Sequence, residues 1–388
     1  MNSGVSSDPA APVPAAPDAV PLDVLAARFR GFEVGDALYA ALCPLIAARP
    51  EWLAMLWPAP RGQQLPNLWL AALHDRVLAG VVHPLAAYFG SVGGARAPDA
   101  QLAEALADFV SQERAALLES IATRSTQTNE IGRCAVLWPA LYWIAQQHAA
   151  SEIALLDFGC SAGLNLGVDR YAYAYDAPAA ALHEPVQDEL PRLVCRTVGP
   201  TALPSMSPAP RIVERLGIDP APVDLNDVRA LRWLRACLWP GDRVRDRRLV
   251  QAAALARRER WPVRAQADCL GAIEPWLDSL PRGVTPVVFN SWVLHYVDRA
   301  ALARHVALLT ALMRERGVLW LSAEGPHVDI AGIELPAPFE SAEDRLATTL
   351  WLLGSARDGA AHFELLARSH AHGRWVEWRA KAPPGMPG

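Results

Sequence analysis

The stretch IALLDFGCSAGLNL, residues 153–166, decides the fold that this sequence predicts. Its apolar start is typical of a strand that is buried on both faces of a sheet. Asp157 and the glycines after it predict a tight turn, and we expect a helix to begin near Leu164. This combination suits a nucleotide-like ligand, because glycines let a backbone approach closely and free N–H groups attract anions. The acidic side chain adds an acceptor for a hydroxyl or an ammonium group.

Three classes of protein use a turn of this kind. The dinucleotide fingerprint requires G-x-G-x-x-G, whereas the glycines here fall as G-x-x-x-G with Ser161 at the middle position, so NAD or FAD fits poorly. Ser161 also completes G-x-S-x-G, the nucleophile elbow of α/β-hydrolases. The third class is the Rossmann-like methyltransferases, whose first motif resembles a hydrophobic strand followed by D/E-x-G-x-x-x-G. Asp157, Gly159 and Gly163 have that spacing.

The residues before the motif favour the third class. A hydrolase elbow lies in a sheet that earlier strands have already begun, yet residues 22–150 show apolar residues at helical spacing. Two other functions stay open at this point. One is a serine hydrolase that uses Ser161 with His295 or His327 and an acid such as Asp298. The other is a non-catalytic protein that keeps a cofactor-binding fold, and GCSAG could also be a plain βα turn.

The chain as a whole resembles a family of mainly bacterial proteins catalogued as a domain of unknown function and described as methyltransferase-like. The matching segments are HPLAAYFG (83–90), QTNEIGRCAVLWPAL (127–141), LLDFGCSAGLNLGVDRYAY (155–173), GIDPAPVDLND (217–227), RWLRACLWP (232–240), FNSWVLHYV (289–297) and WLSAEGP (320–326). This resemblance implies a Rossmann-like fold and S-adenosylmethionine as cofactor. It implies no particular reaction.

Composition indicates a globular protein without a polyanionic partner. The chain has 388 residues, 52% of them hydrophobic, and a net charge of −5. Six scattered cysteines form no C-x-x-C pair, so neither a disulfide framework nor a zinc site is expected, and His370-x-His372 is too little for a metal site. Arginine-rich segments carry no RNA-binding signature, so a nucleic-acid partner has no support.

The sequence predicts neither a signal peptide in the first residues nor a membrane span. Residues 1–21 are rich in Ala, Pro and Ser, which predicts a disordered tail rather than a signal peptide, and residues 383–388 should fray. The longest apolar run, 135–145, contains Pro139 and is too short to span a bilayer. We therefore expect no membrane association and a cytoplasmic location.

The predicted architecture is an α/β fold: a Rossmann-like methyltransferase sheet, mostly parallel with a C-terminal antiparallel hairpin, preceded by a helical domain. The tail is 1–21, the helical cap domain 22–150 and the Rossmann-like domain 151–388. After the motif strand, sheet strands are predicted at 211–216, 263–267, 286–290 and 318–322. An extra strand at 193–198 and a hairpin of 363–367 with 375–379 complete the prediction.

Eight residues are expected to contact the cofactor. They are Asp157, Gly159, Ser161, Gly163, Asn165, Asp219, Asp268 and Asn290. An acidic group after the second strand can hold ribose hydroxyls, and both Asp219 and Asp224 are candidates. By resemblance to methyltransferase sheets, Asp268 after the third strand accepts from the adenine amino group.

Two polar clusters are expected to border the acceptor, a small molecule. The first is Gln127, Asn129, Glu130 and Arg133, and the second is Asn290, Ser291 and His295. Side chains of the two clusters should lie within about 10 Å of each other, because the first and fourth strands would be neighbours. The catalytic candidates are Glu130, Asn290 and His295, of which histidine titrates near neutrality. The fourth strand lacks the N-P-P-Y type of motif that marks methylation of nucleic-acid bases.

Overall fold

A computed structural model describes residues 19–32, 35–176, 190–330 and 347–381. By their contacts these residues fall into two units. The first takes its residues from 1–128 and 224–247, and the second from 129–223 and 248–388. The sequence boundary after residue 150 falls inside the second unit, because residues 129–150 group with the sheet.

The first unit is helical. Its α-helices are α1 (Leu22–Arg30), α2 (Ala37–Ala47), α3 (Pro50–Leu53), α4 (Pro66–Leu78), α5 (Leu102–Thr123) and α7 (Val228–Ala236). Asp36 and Asp227 accept backbone N–H groups at the starts of α2 and α7, which is what N-cap residues do. Phe29, Trp69 and Phe109 are fully buried in one apolar core. The tertiary contacts of this core, more than helix propensity, hold such short helices in place.

The predicted tail extends three residues into the described part of the chain. Val20 donates its N–H to Gln64 Oε1 at 2.8 Å and accepts from Trp57 Nε1 at 3.1 Å, so the prediction of disorder is wrong there. The rest of the tail, residues 1–18, lies outside the described residues, as do residues 382–388.

The second unit is built on one sheet of ten strands. In chain order they are β1 (Glu152–Phe158), β2 (Ala172–Tyr175), β3 (Arg192–Thr197), β4 (Arg211–Asp219), β5 (Val263–Ala265), β6 (Thr285–Ser291), β7 (Leu319–Glu324), β8 (Thr348–Arg357), β9 (Ala360–His370) and β10 (Trp375–Trp378). Their order across the sheet is β2-β3-β10-β9-β8-β7-β6-β1-β4-β5. A mostly parallel sheet with a C-terminal antiparallel hairpin is therefore confirmed.

The parallel strands bring their polar ends together beside β1. From β1 the chain builds outward through β4 to β5, and then returns to the other side of β1 for β6 and β7. The register pairs Phe158 with Asn290 and Asn290 with Ser322. The carboxyl ends of β1, β4, β6 and β7 consequently meet where the sheet changes its direction of growth, which is where ligands bind in open α/β sheets.

Four helices accompany the sheet strands in the chain: α6 (Cys134–Gln147), α8 (Arg243–Glu259), α9 (Ile273–Ser279) and α10 (Arg299–Arg316). The first five residues of α8 belong to the helical unit. The described part of the chain contains no helix with the length and apolar character needed to cross a membrane.

The predicted helix does begin at Leu164, and over Leu164–Arg170 it is a 3-10 helix, with Gly163 before it at φ of 69° and Gly167 outside helical geometry. Two other local features differ from the prediction. β8 and α9 were not predicted, since a continuous apolar run and a single helical turn or two give no clear period. The third parallel strand, β5, is shorter than predicted.

Candidate functional site

Asp157 is the central residue of the candidate site. It is 1% exposed, and its Oδ2 atom has no hydrogen-bond partner. Burial raises the pKa of its carboxyl from 3.8 to about 7, and the nearby Asp219 carboxylate adds to the rise. Arg133 and a hydrogen bond from Asn165 act in the opposite direction. A carboxyl group with this environment is energetically unfavourable for the folded chain and is poised to gain from a cationic ligand.

Several backbone N–H groups of the motif turn are bonded within the protein. Gly159 and Cys160 donate to Ile218 O at 2.9 and 3.2 Å, and Gly163 donates to Cys160 O at 2.8 Å. Leu164 N donates to Asn129 Oδ1 at 3.0 Å. The expectation that free N–H groups of this turn attract an anion is therefore wrong for these donors. The turn offers acceptors, in the form of carboxylates, more than donors.

Asp219 ends β4 and holds the turn in place. Its Oδ2 accepts from Ser161 N at 2.8 Å, and its Oδ1 accepts from Ala221 N at 2.8 Å. Each carboxylate oxygen has a second lone pair, so the group can still accept from a ligand hydroxyl. Asp224, the other ribose candidate, belongs to the helical unit and accepts from Asn226 N.

Backbone conformation and packing both explain the two motif glycines. Gly159 has φ of 73°, and a Cβ there would lie 2.3 Å from Val293 Cγ2. Gly163 has φ of 69°, and a Cβ would lie 2.4 Å from Val263 Cγ2. A left-handed φ and close side-chain packing both require glycine at these two positions. The conformation and packing of the turn therefore already explain the glycine spacing of D-x-G-x-x-x-G, before any ligand is considered.

The environment of Asp268 differs from that of the buried Asp157 and Asp219. It follows β5, is exposed to solvent and accepts from Gly271 N at 3.0 Å through Oδ1. Its carboxylate thus closes a local turn, and it remains a sequence candidate for the adenine contact.

The two predicted polar clusters meet in the structure. Arg133 Nη1 donates to Ser291 Oγ at 2.9 Å, and Arg133 Nε donates to Ala371 O at 2.9 Å. Glu130 Oε1 accepts from Gly132 N at 2.8 Å. The expected proximity is thus observed for the Arg133 and Ser291 pair. Both Glu130 and Arg133 are buried, and Arg133 joins the end of β6 to the turn after β9.

Asn290 links β6 to β7. It is 0% exposed, and its Nδ2 donates to Ser322 Oγ at 3.0 Å and to Glu324 Oε1 at 2.8 Å. Its Oδ1 accepts from Trp320 Nε1 at 2.7 Å. Both the nitrogen and the oxygen of the Asn290 amide are hydrogen-bonded within the protein. Asn290, which the sequence suggested as a cofactor contact and a catalytic residue, here orients the Glu324 carboxylate.

Glu324, which the sequence reasoning missed as a site residue, ends β7. It is 2% exposed, and its Oε2 has no hydrogen-bond partner. His295 Nδ1, also without a hydrogen-bond partner, lies 3.9 Å from that oxygen. The signal was present in WLSAEGP, since an acidic residue at the carboxyl end of a parallel strand next to β6 lies at the edge of the sheet where ligands bind.

The hydrolase hypothesis named Ser161 as nucleophile, His295 or His327 as base and Asp298 as acid, and the structure shows the surroundings of these residues. Ser161 has φ of 53°, and its N–H is taken by Asp219. Asp298, the proposed acid, accepts from Ala301 N at 2.7 Å as the N-cap of α10. His327 lies 6.0 Å from His295 between ring centroids. In the described ranges no cluster of three or more His, Cys, Asp or Glu side chains suits a metal ion.

The chain matches a known protein family. A family model described as "Uncharacterized protein conserved in bacteria (DUF2332)" matches residues 32–378. No curated protein and no solved structure matches the chain.

Proposed function

We propose that this chain, which belongs to the DUF2332 family of bacterial proteins, binds S-adenosylmethionine at the carboxyl edge of β1, β4 and β6 and acts as a methyltransferase on a small-molecule acceptor. The observation that carries the proposal is the buried Asp157 carboxyl, whose Oδ2 has no hydrogen-bond partner. When bound, the cofactor supplies an electrophilic methyl group. Positioning by the protein then contributes most of the rate.

The residues present fit this cofactor better than a dinucleotide. A pyrophosphate needs free N–H donors or cationic side chains, and the donors of the motif turn are already used by Ile218, Cys160 and Asn129. Asp157 and Asp219 instead offer acceptors. An ammonium group and ribose hydroxyls are donors, so they complement this edge.

The sheet order supports the same ligand class. Strands β5-β4-β1-β6-β7 correspond to the doubly wound order 3-2-1-4-5, in which ligands bind at the reversal between strands 1 and 4. Asp157 lies in β1 and Asn290 in β6, on the two sides of that reversal. Fold order alone carries no function, and the chemistry of the side chains there is what selects the ligand.

Each candidate has a role in this proposal. Asp157 would accept from the ammonium group, with Asn165 holding its other oxygen. Asp219 would accept from a ribose hydroxyl while Ser161 N fixes its direction. Asp268, which is exposed, would accept from the adenine amino group.

The remaining candidates shape the site without contacting the reacting atoms. Gly159 and Gly163 let the turn pack on Val293 and Val263. Glu130 fixes the turn that carries Arg133. Because Oδ2 of Asp157 has no exposed surface, binding requires a local movement of the surrounding side chains.

Calorimetric titration with S-adenosylmethionine and with S-adenosylhomocysteine tests the proposal. Wild-type protein should bind both, and Asp157→Ala should weaken binding by about 10- to 150-fold, the range for loss of a charge-assisted hydrogen bond of about 1.5–3 kcal/mol. Asp75→Asn is the matched control, because this buried carboxylate of the helical unit is paired with Arg232 at 2.8 Å and should leave the affinity unchanged. No heat and no thermal shift at millimolar ligand would refute the proposal.

A further inference from the structure

Glu324 and His295 each keep one buried polar atom without a hydrogen-bond partner, and these two atoms are neighbours. Oε2 of Glu324 and Nδ1 of His295 are 3.9 Å apart, within ion-pair range and beyond hydrogen-bond range. Catalytic hydrogen bonds are often long in the absence of substrate and shorten in the complex. We infer that these residues form a carboxylate–imidazole dyad in which Glu324 is the positioning residue and His295 is the base for the acceptor.

The carboxylate of Glu324 has a fixed orientation. Its Oε1 accepts three hydrogen bonds, from Asn290 Nδ2 at 2.8 Å, Val293 N at 3.0 Å and Leu294 N at 3.2 Å. Three donors on one oxygen leave Oε2 as the oxygen that faces the imidazole. The same bonds tie the Glu324 carboxylate to the backbone just before His295, so it is held against the segment that carries the imidazole.

The imidazole of His295 is held by aromatic rings. Ring centroids lie 3.8 Å away for Tyr296, 5.6 Å for Trp292 and 6.0 Å for His327. The side chain is 22% exposed although Nδ1 is buried, so its exposed part lies elsewhere on the ring. Nε2 is the second nitrogen, and in this inference it is the one that meets the acceptor.

The charge of Glu324 decides which nitrogen carries the proton. An ionised carboxylate can only accept, so Nδ1 must be protonated for the pair to bond, and Nε2 then keeps a free lone pair. Nε2 takes the proton of an acceptor hydroxyl: the O–H bond breaks, the oxygen keeps the electron pair, and the imidazolium is stabilised by Glu324. This is the orienting role that a carboxylate has towards histidine in other acid–base sites.

This role assigns an acceptor class. A hydroxyl holds its proton at neutral pH and needs a base, whereas a carboxylate acceptor needs none and would be repelled by Glu324. The acceptor is therefore a group that must lose a proton before methylation, such as an alcohol or a phenol, and not a carboxylate. The acceptor class rests on the proposed methyltransferase function, but the tautomer of His295 does not, and it can be measured without cofactor.

The test is a long-range ¹H–¹⁵N correlation spectrum of the histidine rings in the full chain, with His295→Gln to assign the resonances. Wild-type His295 should be the Nδ1–H tautomer at pH 8. In Glu324→Gln the amide oxygen replaces Oε1, because three N–H donors point at it, and the NH₂ group replaces Oε2. An NH₂ donor facing Nδ1 should invert the ring to the Nε2–H tautomer. His362→Gln, a change at an exposed histidine of β9, is the matched control and should leave the His295 tautomer unchanged.

An Nε2–H tautomer in the wild type, or no inversion in a folded Glu324→Gln protein, would overturn the inference. If Glu324→Gln does not fold, the wild-type tautomer alone decides. Calorimetry with S-adenosylmethionine on the same wild-type sample separates the two claims. The expected tautomer without cofactor binding would support the dyad and contradict the proposed function, and binding with the wrong tautomer would do the opposite.

Discussion

The buried polar groups of the helical unit and of the sheet unit differ in how completely they are hydrogen-bonded. In the helical unit, His74 Nδ1 lies 3.2 Å from Ala236 O, and its Nε2 lies 2.7 Å from Ser91 Oγ. Asp75 there is paired with Arg232. In the described residues, six buried side-chain atoms have no hydrogen-bond partner, and all six belong to the sheet unit.

Within the sheet unit, half of these unpartnered buried atoms lie at one edge of the sheet. Three of the six atoms belong to Asp157, His295 and Glu324, which lie at or just after the carboxyl ends of β1, β6 and β7. An unsatisfied buried polar group costs about 1–3 kcal/mol, so stability alone gives no reason for three of them at one edge. A ligand that completes these groups does give a reason, because functional sites are where such groups concentrate.

The largest expected effect concerns the pH dependence of stability at Asp157. The gap between its folded pKa of about 7 and its ordinary 3.8 corresponds to about 4 kcal/mol. The folded chain binds more protons than the unfolded chain between these values, so the free energy of unfolding falls as pH rises from about 4 to about 7. Asp157→Asn removes this loss.

Chemical denaturation of both proteins at several pH values measures it. The stability of Asp157→Asn relative to wild type should increase by about 4 kcal/mol between pH 4 and pH 8. The same comparison with Asp75→Asn should lack that rise. If the difference in free energy of unfolding between wild type and Asp157→Asn does not change with pH, the pKa of Asp157 is not raised by burial, and the contrast between the two units fails at this residue.

A smaller effect is expected from two buried histidines, one in each unit. Burial lowers the pKa of both His74 and His305 to about 4. His305 Nε2 has no hydrogen-bond partner, and its ring packs against Phe158 and Trp320. At pH 7, His305→Phe should stabilise the protein by about 1 kcal/mol and His74→Phe should destabilise it by about 1–3 kcal/mol, because only the second change removes hydrogen bonds.

Acid should enlarge the gain from His305→Phe. For a base with a lowered folded pKa, the unfolded chain binds more protons between about 4 and 6.5, so stability is lost as pH falls through that window. The loss amounts to about 3 kcal/mol at pH 4, and His305→Phe removes it. If both substitutions change the free energy of unfolding at pH 7 by the same amount and in the same direction, the two histidines do not differ in hydrogen bonding as described.

The parallel strands and the C-terminal hairpin could be predicted from the sequence because buried strands leave a clear apolar run and helices a clear period. Two features of the site could not. The 3-10 helix after Gly163 depends on a tertiary hydrogen bond from Leu164 N to Asn129 Oδ1, which no local pattern encodes. The orphaned oxygens of Asp157 and Glu324 depend on which donors other strands supply.

The proximity of Arg133 and Ser291 could be predicted, since Arg133 precedes the helix that leads into β1 and Ser291 ends β6, the neighbour of β1 in the sheet. Glu324 was missed because its neighbour in the sheet, Asn290, looked like a ligand contact in the sequence. In the structure Asn290 is buried and donates to Glu324, so the unpartnered polar atom lies one strand further along, on β7.

The smallest expected effect is an absence of reaction at Ser161. A left-handed φ of 53° at the centre of G-x-S-x-G is the feature that favours a hydrolase elbow. Its intended acid, Asp298, caps α10 instead, and the described elements before β1 are helical. A fluorophosphonate probe should therefore leave Ser161 unlabelled, with Ser161→Ala as the matched control in peptide mass spectrometry. Stoichiometric labelling at Ser161 would replace the methyltransferase account with a hydrolase one.

The central claim is that a cationic ligand completes Asp157, and proton release on binding tests it most directly. At pH 7 a carboxyl with a pKa of about 7 is about half protonated, and an ammonium group bound to it would ionise it. Titration of S-adenosylmethionine in buffers of different ionisation enthalpy should therefore show about half a proton released per ligand for wild type, and none from this source for Asp157→Asn. Binding with the same proton exchange in both proteins, or no binding at all, would contradict the account.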